Sequence, residues 1–249
     1  MKKVFVVAMA CEAEAVVRCL SDVRTETMFG RKVFFGTLGG EKTAVIAAGI
    51  GKVNAAAGAQ LALSSLGAEA LFNVGVAGGL DPKLRVGDML RVARVVQYDF
   101  DLSKINGTPI GTLNECKTPF FELPSVGQLP DATVATGDRF ADGEDIVSFL
   151  RKTFGANVCE MELGAIAHVA FRAGVQVHSW KLISDVAGKG TQADQYKILR
   201  LFAGHLAQSG SYCQVILQNA RTETGPTSGI LPFFRLGDQT TSCLPHDAV

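Results

Sequence analysis

Short, nearly uninterrupted apolar runs recur along this chain, and segments of helical composition separate them. Lys3 to Met9, Ala70 to Val76 and Gln176 to Ile183 are runs of this kind. A strand with one wet face alternates apolar and polar residues, whereas a continuously apolar strand must be covered on both faces. Repetition of strand and helix therefore predicts an α/β protein with its sheet between helical layers. Between these runs, Glu12 to Leu20 reads as a helix with Val16, Val17 and Leu20 on one side. Lys32 to Leu38 and Thr43 to Ala48 read as a hairpin around Gly39-Gly40, and Lys52 to Leu66 as an Ala-rich helix. Asp88 to Val96 and Thr133 to Ala135 are strand-like, and residues 97–130 show little periodicity. Glu144 to Thr153 is helical, Ala156 to Val158 a short strand, and a helix from Leu163 ends near Gly174. Tyr196 to Asn219 is expected to form a long last helix.

No internal repeat or linker divides residues 1–220, which reads as a single domain. From Arg221 the chain is polar, with Gly225-Pro226 and Leu244-Pro245, and is expected to be ordered only where it docks on another surface. Apolar residues make up 47% of the chain, charged residues 19%, and the net charge is zero. That balance suits a large core and offers no electrostatic footprint for nucleic acid or an anionic membrane. No apolar run approaches the roughly 18 residues that span a bilayer. The apolar start after Lys2-Lys3 is short and stops at Cys11-Glu12 without a cleavage site, so it reads as a first strand rather than a leader. The six cysteines are scattered, with no C-x-x-C pair, which suits reduced thiols in a cytoplasmic protein and no metal site.

Chemistry concentrates at strand ends. Cys159-Glu160-Met161-Glu162 places two carboxylates at a strand-to-helix junction, where a carboxylate can chelate the vicinal hydroxyls of a ribose. The same residues also suit a helix first turn, where Glu interacts well with the helix dipole. Gly49-x-Gly51 precedes a helix, but Asn54 breaks the dinucleotide spacing, and a lone G-x-G is a weak signal. Gly75-Val76-Ala77-Gly78-Gly79 follows a strand and reads equally as a backbone cradle for an anion or as a tight strand exit.

Taken in order, these pieces form a series. Ala8-Met9-x-x-Glu12, Gly49-Ile50-Gly51-Lys52-Val53-Asn54-Ala55-Ala56 and Asn73-x-Gly75-x-Ala77-Gly78-Gly79-Leu80 come first. Val86-Gly87-Asp88, Thr136-Gly137-Asp138-x-Phe140, Glu160-Met161-Glu162 and Ile183-Ser184-Asp185-Val186-Ala187 follow. The series resembles the nucleoside phosphorylase and nucleosidase superfamily, and most of all its 5′-methylthioadenosine/S-adenosylhomocysteine nucleosidases. The resemblance covers roughly residues 1–220. It implies a three-layer α/β/α sandwich around a mixed, partly barrel-like sheet, assembled as a homodimer and working without metal or organic cofactor.

The resemblance implies a role for each residue. Asp185 would protonate the purine leaving group, preferably at N7, and would need a raised pKa to hold that proton. Ser184 would orient it, although a Ser-Asp pair also suits a helix N-cap. Glu12 would activate water as general base, and Glu14 would point elsewhere on the same helix. One acid and one base on opposite sides of a sugar follow the logic of inverting glycoside hydrolysis. Glu162 would grip the 2′- and 3′-hydroxyls, while Glu160 faces away or pairs structurally. Met161 would pack on the sugar, Phe140 would stack on the purine, and the Ala141 backbone would read the base edge. Met161 and Phe140 are equally at home in a core.

Two positions depart from the family pattern. Val76 stands where these nucleosidases carry Ser beside Gly78, and Lys181 where they carry Arg; both lie near the water or, in phosphorylases, the phosphate. Val76 deletes a hydroxyl, and Lys181 replaces a bidentate fork with a point charge. These changes favour water over phosphate as nucleophile. The expected activity is hydrolysis of a purine nucleoside with a 5′-thio or related substituent. The alternatives are a purine nucleoside phosphorylase, a hydrolase of futalosine-type compounds and a non-catalytic nucleoside-binding protein.

Overall fold

The computed structural model describes residues 1–124 and 128–186. The helix expected over Tyr196 to Asn219 and the extension from Arg221 lie outside the described residues. The elements run β1 (Lys3–Val7), α1 (Ala10–Val17), β2 (Ser21–Met28), β3 (Arg31–Leu38), β4 (Glu41–Ala47), α2 (Lys52–Ser64), β5 (Ala70–Gly79) and β6 (Met89–Gln97). Then come α3 (Ser103–Asn106), β7 (Phe120–Glu122), β8 (Asp131–Thr136), α4 (Glu144–Phe154), β9 (Val158–Glu160), α5 (Leu163–Ala173) and β10 (Gln176–Val186).

Every residue of β1 is buried because each face of the strand meets a different core. Val4 and Val6 join Ala44 and Ile46 of β4, Ala55, Ala59 and Ala62 of α2, and Ile166 of α5. Phe5 and Val7 join Val45 on the same two strands, together with Ala13 and Val16 of α1 and Trp180 of β10. The helices thus cover opposite sides of the sheet, which gives the expected three layers. The sheet is mixed. β5 pairs parallel with β10, β10 antiparallel with β6, β6 parallel with β8, β8 parallel with β9, and β9 antiparallel with β5. That circuit closes a five-stranded barrel. From β5 an open wing continues through β1 and β4 to β3 and β2.

Two strands run further than expected, and both extensions matter for the site. β5 continues through Gly79, so Gly75 to Gly79 is strand rather than exit loop. β10 continues through Val186, so Ser184-Asp185 lies in a strand and not at a helix cap or turn. β2 was absent from the sequence reading; its Ser21–Met28 run is mostly exposed and lacks an apolar face, and it is held at the edge by β3. The aperiodic stretch holds α3 and β7. Among the described cysteines, Cys11, Cys116 and Cys159 are free thiols. Cys19 is disulfide-bonded, which departs from the expectation of reduced thiols. Among the described residues, no helix is long and apolar enough to cross a membrane.

Close approach of α2 to the sheet depends on Gly58, where an added Cβ would lie 2.8 Å from the Ala48 Cβ and 3.0 Å from a Val6 methyl. Backbone-anchored neighbours cannot give way cheaply. Gly58→Val is expected to lower the free energy of unfolding by about 2 kcal/mol, read by chemical denaturation.

Candidate active site

The carboxyl ends of β1, β5 and β10 meet the segments that follow β8 and β9 around a cavity of about 200 Å³. Glu12, Val76, Gly78, Phe140, Ala141, Met161, Glu162, Ser184 and Asp185, all singled out in the sequence, line it together. Lys181 does not: its buried ammonium is taken up by neighbours in the core, which corrects its expected place on the cavity wall. Residues the sequence reading did not assign a role also line the wall, among them Met9, Ile50, Arg139 and Cys159. Met9 and Ile50 lie inside the quoted motifs. Arg139 fills the open position of Gly-Asp-x-Phe, where the pattern says nothing about residue type. Burial pushes the Cys159 thiol up, so it is a neutral part of the wall.

Glu12 is set by helix geometry. It is the third residue of α1, one turn from the N-cap Met9, and its carboxylate folds back over the free amides there. Oε2 accepts the amides of Met9 at 2.9 Å and Ala8 at 3.1 Å, and Oε1 accepts that of Val76 at 3.0 Å. The glycine-rich end of β5 therefore meets the protein's own Glu12 carboxyl, through the Val76 amide. Burial pushes the Glu12 carboxyl up; the amide donors and the nearby Lys181 ammonium pull it back. Donors arranged around both oxygens favour the ionised form that a general base needs.

In Glu160-Met161-Glu162 the carboxylates divide the labour. Glu160 serves the helix start: its Oε2 accepts the amides of Glu162 at 3.1 Å and Leu163 at 2.8 Å and the Lys181 ammonium at 2.9 Å. Its other oxygen accepts the Thr136 hydroxyl. Glu162, at the N-cap of α5, is released to face the cavity, and its Oε1 accepts the Gly51 amide at 2.8 Å. The start of α2 is thus satisfied by Glu162 and by Asp138, whose Oδ1 accepts the Lys52 amide at 2.7 Å. Those amides are occupied by side chains, which leaves no dinucleotide-type phosphate site at Gly49-x-Gly51. Burial, then the Glu160 charge, push the Glu162 carboxyl up to about 8.

Asp185 owes its aim to an irregularity. The pairing of β10 with β5 shifts register between Ile183 and Asp185, so Ser184 is the extra residue of a bulge. Bulges of this kind redirect side chains beside active sites. Ser184 Oγ lies 2.6 Å from Asp185 Oδ1, to which it donates, and Asp185 is only 8% exposed. Burial pushes its carboxyl up, and the single hydroxyl donor offsets this only in part. Asp185 thus has one hydroxyl donor where Glu12 has three amide donors.

Two buried carboxyls with unlike hydrogen-bond partners face one cavity of a ring-closed α/β sheet, an arrangement suited to cleaving the glycosidic bond of a nucleoside. The chain belongs to the phosphorylase superfamily, whose family model matches residues 2–208. A 5′-methylthioadenosine/S-adenosylhomocysteine nucleosidase of Marinomonas sp. (strain MWYL1) is 31% identical over 210 residues, covering 79% of this chain and 90% of the relative. An aminodeoxyfutalosine nucleosidase of Campylobacter jejuni is 28% identical over 207 residues, covering 78% and 90%. The crystal structure of a Campylobacter jejuni 5′-methylthioadenosine/S-adenosylhomocysteine nucleosidase superposes with a TM-score of 0.78 at 25% identity, covering 89% of this chain and 99% of the other.

Gly75 makes room for the Glu12 carboxylate, since a Cβ there would stand 2.6 Å from Oε1. Gly75→Ala is expected to displace Glu12 and to reduce turnover at least tenfold, with the fold retained by circular dichroism.

Proposed function

We propose that this protein hydrolyses the N-glycosidic bond of a 5′-thio-substituted adenosine, of the methylthioadenosine and S-adenosylhomocysteine class, with water as nucleophile. The observation that carries this reading is the unequal treatment of Glu12 and Asp185 on one cavity. Cleavage passes through a ribosyl cation-like transition state, and adenine leaves poorly as an anion. Asp185 delivers its proton to the purine N7, with Ser184 holding the carboxyl in place. Glu12 takes a proton from water as the water attacks the anomeric carbon from the opposite side of the sugar, the arrangement of an inverting glycosidase. Glu162 binds the 2′- and 3′-hydroxyls through its carboxyl oxygens. Met161 packs on the ribose, Phe140 stacks on the base, and the Ala141 backbone reads the base edge.

Water is favoured over phosphate because Val76 brings no hydroxyl to the wall and Lys181 spends its charge on Glu160 and Asn73. No step calls for a metal or an organic cofactor. The relatives' names support the thio-adenosine class, and the aminodeoxyfutalosine relative keeps that compound as the first substrate to compare. The enzyme acts in the cytoplasm as a homodimer in this reading.

Incubation with methylthioadenosine is expected to release adenine and methylthioribose at the same rate with and without phosphate. A phosphate-dependent ribose 1-phosphate product would sink the reading. Asp185→Asn is expected to lower kcat about 10³-fold while substrate binding stays within a few-fold. In the unmodified enzyme kcat/KM should fall in acid as Glu12 is protonated, and in alkali as Asp185 loses its proton.

A further inference from the structure

Lys181 lies within β10 with 2% of its surface exposed, and it lines no part of the cavity. Taking an ammonium out of water costs several kcal/mol unless its partners are well placed. Its two hydrogen-bond acceptors each lead to a cavity carboxylate. Nζ donates to Glu160 Oε2 at 2.9 Å, and the same oxygen holds the amides of Glu162 and Leu163. Nζ also donates to Asn73 Oδ1 at 2.7 Å, and Asn73 Nδ2 donates in turn to the Val6 carbonyl at 2.9 Å. Val6 is followed within β1 by Val7 and then by Ala8 and Met9, whose amides bind Glu12. The charged groups facing the ammonium are Glu160 from β9, Glu12 from α1 and Glu162 from the turn before α5. On the side of β5 it meets the neutral Asn73, which also accepts the Ser179 hydroxyl.

The geometry points to Lys181 as the positioning residue of this site: one buried ammonium that sets the placement and the charge of both Glu12 and Glu162 without touching substrate. The inference rests on the reading of Glu12 as base and Glu162 as sugar clamp. The Lys181 ammonium lowers the proton affinity of both Glu12 and Glu162, so its removal raises it at each. A lysine placed only for packing would affect stability and rate without moving any titration.

The test is the pH profile of kcat/KM for methylthioadenosine hydrolysis in the unmodified enzyme, Lys181→Met and Lys181→Arg, with Tm measured alongside. Lys181→Met is expected to move the acid limb up by roughly one pH unit, with a loss of about tenfold below the limb that shrinks as pH rises. Lys181→Arg keeps the charge and is expected to keep the limb in place. A limb that does not move in Lys181→Met overturns the inference, as does one that moves equally far in Lys181→Arg. If Lys181→Met does not fold, Lys181→Gln carries the same expectation and decides in its place. Failure of the underlying reading looks different, because Glu12→Gln would then retain the unmodified enzyme's acid limb.

Discussion

The parallel pairing of β5 with β10 is the contact on which the rest of the molecule depends. It closes the barrel, and it lays Lys181 to Val186 alongside Gly75 to Gly79. Three features of the site follow from that register. The Val76 amide points to Glu12, Lys181 reaches Asn73 on the neighbouring strand, and the bulge at Ser184 turns Asp185 to the cavity. Without this pairing β5 would still carry its wing of strands, but Asp185 and Glu12 would belong to separate parts of the structure.

Charge in the site is organised by hydrogen-bond donors rather than by distance from solvent. Glu12, Glu160 and Asp185 are all buried, and burial pushes the carboxyls of Glu12 and Asp185 up. Their donors separate them. Glu12 has three amides, Glu160 has two amides with an ammonium and a hydroxyl, and Asp185 has one hydroxyl. Residues of one chemical type are thereby held in three different hydrogen-bond settings within one site.

Much of the fold was legible in the sequence because its central strands are apolar on both faces, a pattern that survives without any knowledge of their partners. β2 was not legible, since an exposed edge strand is held by its neighbour and needs no apolar face of its own. Barrel closure was not legible either. It depends on which strands pair, and local composition does not encode pairing between residues about a hundred positions apart. In the site, the motifs brought Glu12, Glu162 and Asp185 to notice, and family resemblance supplied their expected roles. Lys181 was misplaced for a physical reason: a lysine in an apolar strand can face a cavity or a buried carboxylate, and only the position of Glu160 decides between them.

The Gly51 amide and the Glu162 carboxylate are 111 residues apart in sequence, and Glu12 and Asp185 are drawn from opposite ends of the described chain. Contacts of such long range form late in folding, because the loops between them must close first. During synthesis from the N-terminus the wing of β1 to β4 can assemble while β10 is still unmade. A nascent chain therefore holds Glu12 long before it acquires Asp185, and the cavity is complete only when the barrel closes.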